Sequence, residues 1–181
     1  MSFPVTLLIA FFAGLLVSGI PLWIILVVSL RKAHIDTLTG LPDYRAFQKE
    51  RASRIRALNR RAIPFSLALI DLDGFHRFNE GGYDHGDAIL QKFAKKLKAA
   101  VSPEVFCARF RIGDEFVLLY PPEKSSEVAS TLETLTFETP FTWCSMDCIN
   151  PKACSKTWEE DLQNALLLEK KKRKAPPTTT E

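Results

Sequence analysis

Phe65-Ser66-Leu67-Ala68-Leu69-Ile70-Asp71-Leu72-Asp73 runs from six residues with a single polar side chain into two carboxylates. Turn signals bound the stretch, with Pro64 ahead of it. A short apolar run bounded in this way reads as a strand buried on both faces at the centre of a sheet. The strand therefore delivers Asp71 and Asp73 to the rim of the core.

A second acidic pair lies downstream. Val105 to Phe110 and Phe116 to Tyr120 read as two strands joined by a tight turn that holds Gly113-Asp114-Glu115. Carboxylates at the tips of adjacent central strands can converge on hard divalent cations, which prefer oxygen ligands. Two such ions are a standard device for phosphoryl or nucleotidyl transfer. The plainer reading is that each pair only caps or solvates a turn. Around these strands, Thr39-Gly40-Leu41-Pro42 signals a turn. It leads into a helix with Tyr44, Phe47, Ile55 and Leu58 on one face. A second helix is expected from about Asp87 to Val101, with Leu90, Phe93, Ala94, Leu97 and Val101 inward. A short helix follows over 123–134, a strand over 140–148, and a last helix from near Thr157 into Lys170–Lys174. The body is an α/β (α+β) domain, an antiparallel sheet with helices against it.

The chain has 181 residues, 46% of them hydrophobic, with 24 Lys and Arg against 21 Asp and Glu. Residues 1–30 contain no charged residue and no histidine. That distribution excludes disorder, collagen and coiled coil for the body. Lys170, Lys171, Lys172, Arg173 and Lys174 supply five positive charges, and without them the balance is 19 − 21 = −2. A globally basic nucleic-acid binder is therefore not expected, and nucleic acid is excluded as a partner. Val5 to Leu30 is long enough, at about 1.5 Å per residue, to cross a hydrocarbon core of roughly 30 Å. It lacks the basic start and small-residue cleavage site of a signal peptide, so residues 1–32 are expected to form a retained transmembrane helix. Arg31 and Lys32, with Arg51, Arg54, Arg56, Arg60 and Arg61 beyond, place the C-terminal body in the cytoplasm. Ala10, Gly14 and Ser18 make a stripe that either pairs two such helices or reflects the usual abundance of small residues in membranes. Residues 33–174 form the domain, with no room for a separate sensor, and 175–181 a disordered tail. Cys107, Cys144, Cys148 and Cys154 do not match a paired zinc site, so buried thiols in a reducing compartment are expected. The Lys170–Lys174 run either is a solvated helix end or touches anionic lipid.

Four motifs in order give a more specific indication. Asp36-Thr37-Leu38-Thr39-Gly40-Leu41-Pro42 is the first. Asp71-Leu72-Asp73-Gly74-Phe75, through Asn79 to Gly86-Asp87, is the second. Arg109-Phe110-Arg111-Ile112-Gly113-Asp114-Glu115-Phe116 forms the hairpin, and Ala165-Leu166-Leu167-Leu168-Glu169-Lys170 closes the series. From Asp36 to Lys174 the chain resembles the GGDEF-domain family, the diguanylate cyclases.

The resemblance implies a palm-like nucleotide-cyclase fold that condenses two GTP into cyclic di-GMP and two pyrophosphates, one GTP on each subunit of a homodimer. It implies two Mg2+ or Mn2+ ions held by Asp71, the Leu72 carbonyl, Asp114 and Glu115. Asp114 and Glu115 would be catalytic, with Glu115 a ligand or an aid in deprotonating the ribose 3′-hydroxyl. Asn79 and Asp87 would read guanine, since Asp accepts from a ring N–H and amino group that adenine does not offer in that pattern. Phe75 and His76 would line the GTP site, and Lys170 and Arg173 would hold the triphosphate. The setting implied is the bacterial inner membrane, crossed once, with lipid contacted through the N-terminal helix.

The sequence also departs from the pattern. The signature has one glycine, Gly113, with Ile112 in the other place. Ile112 either obstructs GTP or is swung away by one extra residue between Arg109 and Gly113. His76 replaces a Lys, Asn79 to Asp87 is one residue short, and a final strand after Lys174 is missing. Ser102 and Val105 stand where an inhibitory R-x-x-D motif would be, so no inhibitory site is expected. The alternative function is a degenerate module that binds GTP or a protein as a regulator.

Overall fold

The computed structural model describes residues 34–174, apart from Gly81 and Ile112. In chain order the elements are α1 (Tyr44–Arg61), β1 (Phe65–Leu72), α2 (His76–Asn79), α3 (Tyr83–Ala100), β2 (Phe106–Phe110) and β3 (Glu115–Tyr120). A 3-10 turn over Pro122–Lys124 then leads to α4 (Ser125–Thr134), β4 (Phe141–Cys148), α5 (Pro151–Lys156) and α6 (Trp158–Lys174). The four strands form one antiparallel sheet in the order β2-β3-β1-β4. Asp36–Glu181 is one compact unit that contains the whole sheet.

β1 is central because both of its faces are apolar. Ala68, Ile70 and Leu72 join Phe116, Leu118 and Tyr120 under α3 and α4, where Phe93 and Leu97 are fully buried. Phe65, Leu67 and Leu69, one residue out of step, join Val117 and Leu119 under α1 and α6, against Phe47, Trp158, Leu162 and Leu166. That two-residue alternation covers the sheet with helices on both sides. α1 starts at Asp43, whose side chain accepts from the Ala46 amide at 2.8 Å. It ends at Ala62, left-handed at φ 51°, whose amide returns to the Leu58 carbonyl.

The expected elements occur in the expected order. β1 runs two residues further than the apolar run and takes in Asp71, because that residue pairs on both sides, with Glu115 and with Thr142. The helix expected from Asp87 starts four residues earlier, at Tyr83. Two short helices, α2 and α5, were not expected, since four and six residues show no periodicity.

α5 also corrects the reading of the cysteines. It brings Cys154 back under the sheet with its Cα 5.6 Å from that of Cys148, and the two are disulfide-bonded. Cys107 and Cys144 are the buried free thiols. The expected membrane helix (1–32), the Ala10-Gly14-Ser18 stripe and the tail (175–181) lie outside the described residues. Among the described residues no helix is long and apolar enough to cross a membrane.

Candidate active site

The acidic groups meet where β1 and β3 meet. Asp71 is the cross-strand partner of Glu115, so the two side chains share one sheet face. The Leu72 amide donates to the Asp114 carbonyl at 3.3 Å, which fastens the end of β1 to the hairpin. Asp73 lies just past the strand, where Thr142 Oγ1 bonds its two carboxylate oxygens at 3.0 and 2.8 Å. Gly74 follows at φ 70°, a left-handed position that lets the chain turn away from the site at once.

α6 supplies the opposing charges. Gln163 and Lys170 are seven residues apart and lie along one helical stripe. Gln163 Nε2 donates to Glu115 Oε1 at 2.9 Å. Lys170 Nζ donates to Asp71 Oδ1 and lies 3.8 Å from Asp73 Oδ1. Arg173 donates to the Phe141 carbonyl at 2.6 Å and lies 4.0 Å from Asp73 Oδ2. Lys170 and Arg173, expected on a triphosphate, thus reach the site but rest on its carboxylates and a carbonyl. Burial pushes the Asp71 carboxyl up to about 6. The Lys170 hydrogen bond pulls it down, while the charges on Asp114 and Glu115 push it up again.

The hairpin that carries Asp114 is anchored from behind. Arg109 is 7% exposed. It bonds both oxygens of Asp36 at 3.2 Å and the Gly113 carbonyl at 3.0 and 2.8 Å. Burial alone would raise the Asp36 carboxyl, but Thr39 and Arg109 hold it below the usual carboxylate range. Cross-strand pairing of Phe110 with Glu115 leaves Arg111–Asp114 as a four-residue loop. Arg111 is left-handed at φ 57°. An ion pair with Glu159 and stacking over Tyr44 and Phe110, at 5.6 and 5.4 Å, offset that strain. Whether Ile112 obstructs or swings away lies outside the described residues.

The expected guanine readers also come together. A Cβ on Gly86 would collide with Asn79 Oδ1 and stand 3.2 Å from Phe75 Cζ. The missing side chain therefore lets the Asn79 amide lie against α3 one residue before Asp87. Asn79, Asp87 and His76 are exposed. Phe75 is buried at 8% exposure in the core under α3, so it supports this corner from below and does not line an open site.

Asp71, Asp73, Asp114, Glu115 and the Leu72 backbone offer only oxygen donors, a set that fits a hard divalent cation. An ammonium, that of Lys170, already stands between Asp71 and Asp73. As they stand, no three His, Cys, Asp or Glu among the described residues form a metal cluster. Their donor chemistry suits such an ion, and Lys170 would have to leave Asp71 to admit one. Sequence reasoning missed Gln163, Arg109 and Asp36 as residues that position the site. The heptad spacing of Gln163 from Lys170 was the available signal for the first. The motifs quoted for Asp36 and Arg109 carried the other two without a role.

The comparisons with known proteins agree with this geometry. The family model described as "Diguanylate cyclase, GGDEF domain" matches residues 33–143. "Diguanylate cyclase DgcP" of Pseudomonas aeruginosa is 34% identical over 106 residues, covering 58% of this chain and 16% of that protein. "Response regulator PleD" of Caulobacter vibrioides is 31% identical over 118 residues, covering 63% of this chain and 26% of that protein. The chain thus spans about a quarter or less of the length of these relatives. The solved coiled coil and GGDEF domain of DgcB from Caulobacter crescentus, in complex with c-di-GMP, superposes with a TM-score of 0.77 at 24% identity. That match covers 91% of this chain and 95% of that one. With more than half of its length matched by the family model, and its acids on the two central strands, the chain belongs to the GGDEF family of diguanylate cyclase domains.

Proposed function

We propose that the protein is a membrane-anchored diguanylate cyclase that condenses two GTP into cyclic di-GMP across a homodimer. The observation that carries this reading is the juxtaposition of Asp71 with Glu115 on adjacent strands, with Asp114 and Asp73 beside them. Like charges directly opposite one another destabilise a sheet, so their retention points to use. In each half-reaction the ribose 3′-hydroxyl oxygen of one GTP attacks the α-phosphorus of the other. The bond to the β-phosphate breaks and pyrophosphate leaves. Two such steps close the ring.

Asp71, Asp114, Glu115 and the Leu72 carbonyl would hold two Mg2+ or Mn2+ ions, which supply charge neutralisation and an acidified hydroxyl. The residues of the chain do the rest. Asn79 and Asp87 accept and donate along the guanine edge. Lys170 and Arg173 turn from the carboxylates to the incoming triphosphate, the stronger anion. Gln163 keeps Glu115 aimed, and Arg109 fixes the loop that presents Asp114.

A second reading is a regulator that binds GTP or a protein without turnover. It is favoured by the resting place of Lys170 on Asp71, which closes the acidic site internally. Incubating the full-length protein in membranes with GTP and magnesium, then analysing products by mass spectrometry, separates the two. Cyclic di-GMP with pyrophosphate supports the cyclase; GTP recovered unchanged supports the regulator.

A further inference from the structure

The catalytic reading leaves the outer face of α1 unexplained. α1 carries seven basic residues and one acid, a net +6, whereas the whole chain is +3. The remainder is therefore −3, so this helix, like the Lys170–Lys174 run, is a local concentration of positive charge. The charges are arranged by purpose on its two sides. Arg51 lies 4.7 Å over the Trp158 ring and donates to the Cys154 carbonyl, and Arg54 pairs with Glu50 at 2.8 Å. Arg45, Lys49, Arg56 and Arg60 are exposed, and none has an ion-pair partner among the described residues. At about 100° per residue these four fall within roughly 60° of one another, opposite the buried Phe47 and Leu58. They make a straight cationic stripe along a helix of 18 residues. Just beyond its end the side chain of Ile63 is 50% exposed, an apolar group flanking the charges.

We propose that α1 lies along an anionic lipid surface, its Arg45, Lys49, Arg56 and Arg60 side chains set among the lipid phosphates. Charge complementarity selects an anionic partner, and a flat row of unpaired cations on one helix face suits a plane. The uncharged stretch of residues 1–30 lies just upstream in sequence, and the excess of acid over the rest of the body disfavours a polyanion that must wrap around it. The inference leans on the anchored reading only in expecting a bilayer within reach. Its effect would be to fix the orientation of the domain on the membrane, and so the direction in which the acidic site faces.

The test uses residues 34–181, which contain the compact unit with its whole sheet and both faces of its core. The fragment is sedimented with vesicles of phosphatidylcholine alone or with phosphatidylglycerol added, in the absence of nucleotide, so the outcome is independent of any cyclase activity. Binding to the anionic vesicles only, weakened by salt, is expected. R45Q/K49Q/R56Q/R60Q should keep the native circular dichroism and melting transition, yet lose binding by roughly fivefold per residue removed. K95Q/K98Q/K171Q/K172Q, which removes the same number of charges elsewhere, should bind like the parent. Equal binding to neutral vesicles, retained binding in the first variant, or loss confined to the second would each overturn the proposal. So would a nucleic-acid duplex that strips the domain from anionic vesicles, since the stripe would then read a phosphate backbone.

Discussion

Asp71 is the second-to-last residue of β1, and burial pushes its carboxyl up to about 6 from an ordinary value of 3.8. Between those values the folded chain holds a proton that the unfolded chain has lost. The Asp71 contribution to stability therefore falls as pH rises from about 4 to about 6, and is flat outside that window. Asn at this position does not titrate. With a chelator present, D71N should gain on the parent by about 1–2 kcal/mol over that window in denaturant melts at stepped pH. A difference that stays constant with pH would mean that the charge costs the fold nothing. Asp114 has the complementary role. D114N should fold like the parent and lose turnover, because an amide is a poor ligand for a hard cation. Near-parental product formation at saturating magnesium would remove Asp114 from the site.

If Asn79 reads guanine as proposed, Gly86 is the residue that tests it. In an exposed helix a change from Gly to Ala normally stabilises by about 1 kcal/mol. Here the new Cβ would push the Asn79 side chain off α3. G86A should therefore weaken GTP binding about tenfold or more while leaving ATP binding nearly unchanged. Equal losses for the two nucleotides, read by isothermal titration, would make the Asn79 corner structural.

At the scale of elements, the strands and long helices were legible because their burial is periodic. Ala68, Ile70 and Leu72 alternate with Leu67 and Leu69, and each set has its own helix layer. α2 and α5 were not legible, and α5 is what pairs Cys154 with Cys148. A disulfide between residues six apart depends on where a short helix folds, and spacing alone does not report that. The acids of the site were legible as residues, because strand ends bound by turn signals can be located. Their present partners were not. That Lys170 rests on Asp71 and Gln163 on Glu115 follows from the rotation of α6 against the sheet, and that rotation is set by Trp158, Leu162 and Leu166 packing on α1 and β1. The hairpin behaves likewise as an element held from outside. Arg109 ties the Gly113 carbonyl of its loop to Asp36, ahead of α1, through four side-chain contacts, a set that Lys cannot reproduce. R109K should cost about 1–3 kcal/mol in denaturant melts, since the half-buried Asp36 and the Gly113 carbonyl lose hydrogen bonds to a buried charged group. A variant as stable as the parent would show that Asp36 needs no partner.

At the scale of the whole molecule, the chemistry sets a requirement that one domain cannot meet. In the proposed reading the acids, the guanine corner and Lys170 and Arg173 of α6 serve one nucleotide, and closing a ring from two GTP requires a second such site facing the first. Bringing the two nucleotides into alignment is most of the catalytic task. The proposed anchor bears directly on that requirement. If residues 1–32 hold the chain in a membrane, two domains share a plane, and the second site is present at a high effective concentration whatever the bulk dilution. A basic face of α1 on the lipid would restrict rotation further and leave fewer orientations to search. The full-length protein in membranes is therefore expected to form cyclic di-GMP at a specific activity that changes little on dilution. Residues 34–181 in solution should show a specific activity that climbs with protein concentration and falls well below the membrane form when dilute. The measurement is initial rate per protomer across a dilution series of each form, with product quantified by mass spectrometry. A dilute fragment as active per protomer as the reconstituted protein would mean that the N-terminal segment only localises the enzyme, and that the two sites find each other through the domains alone.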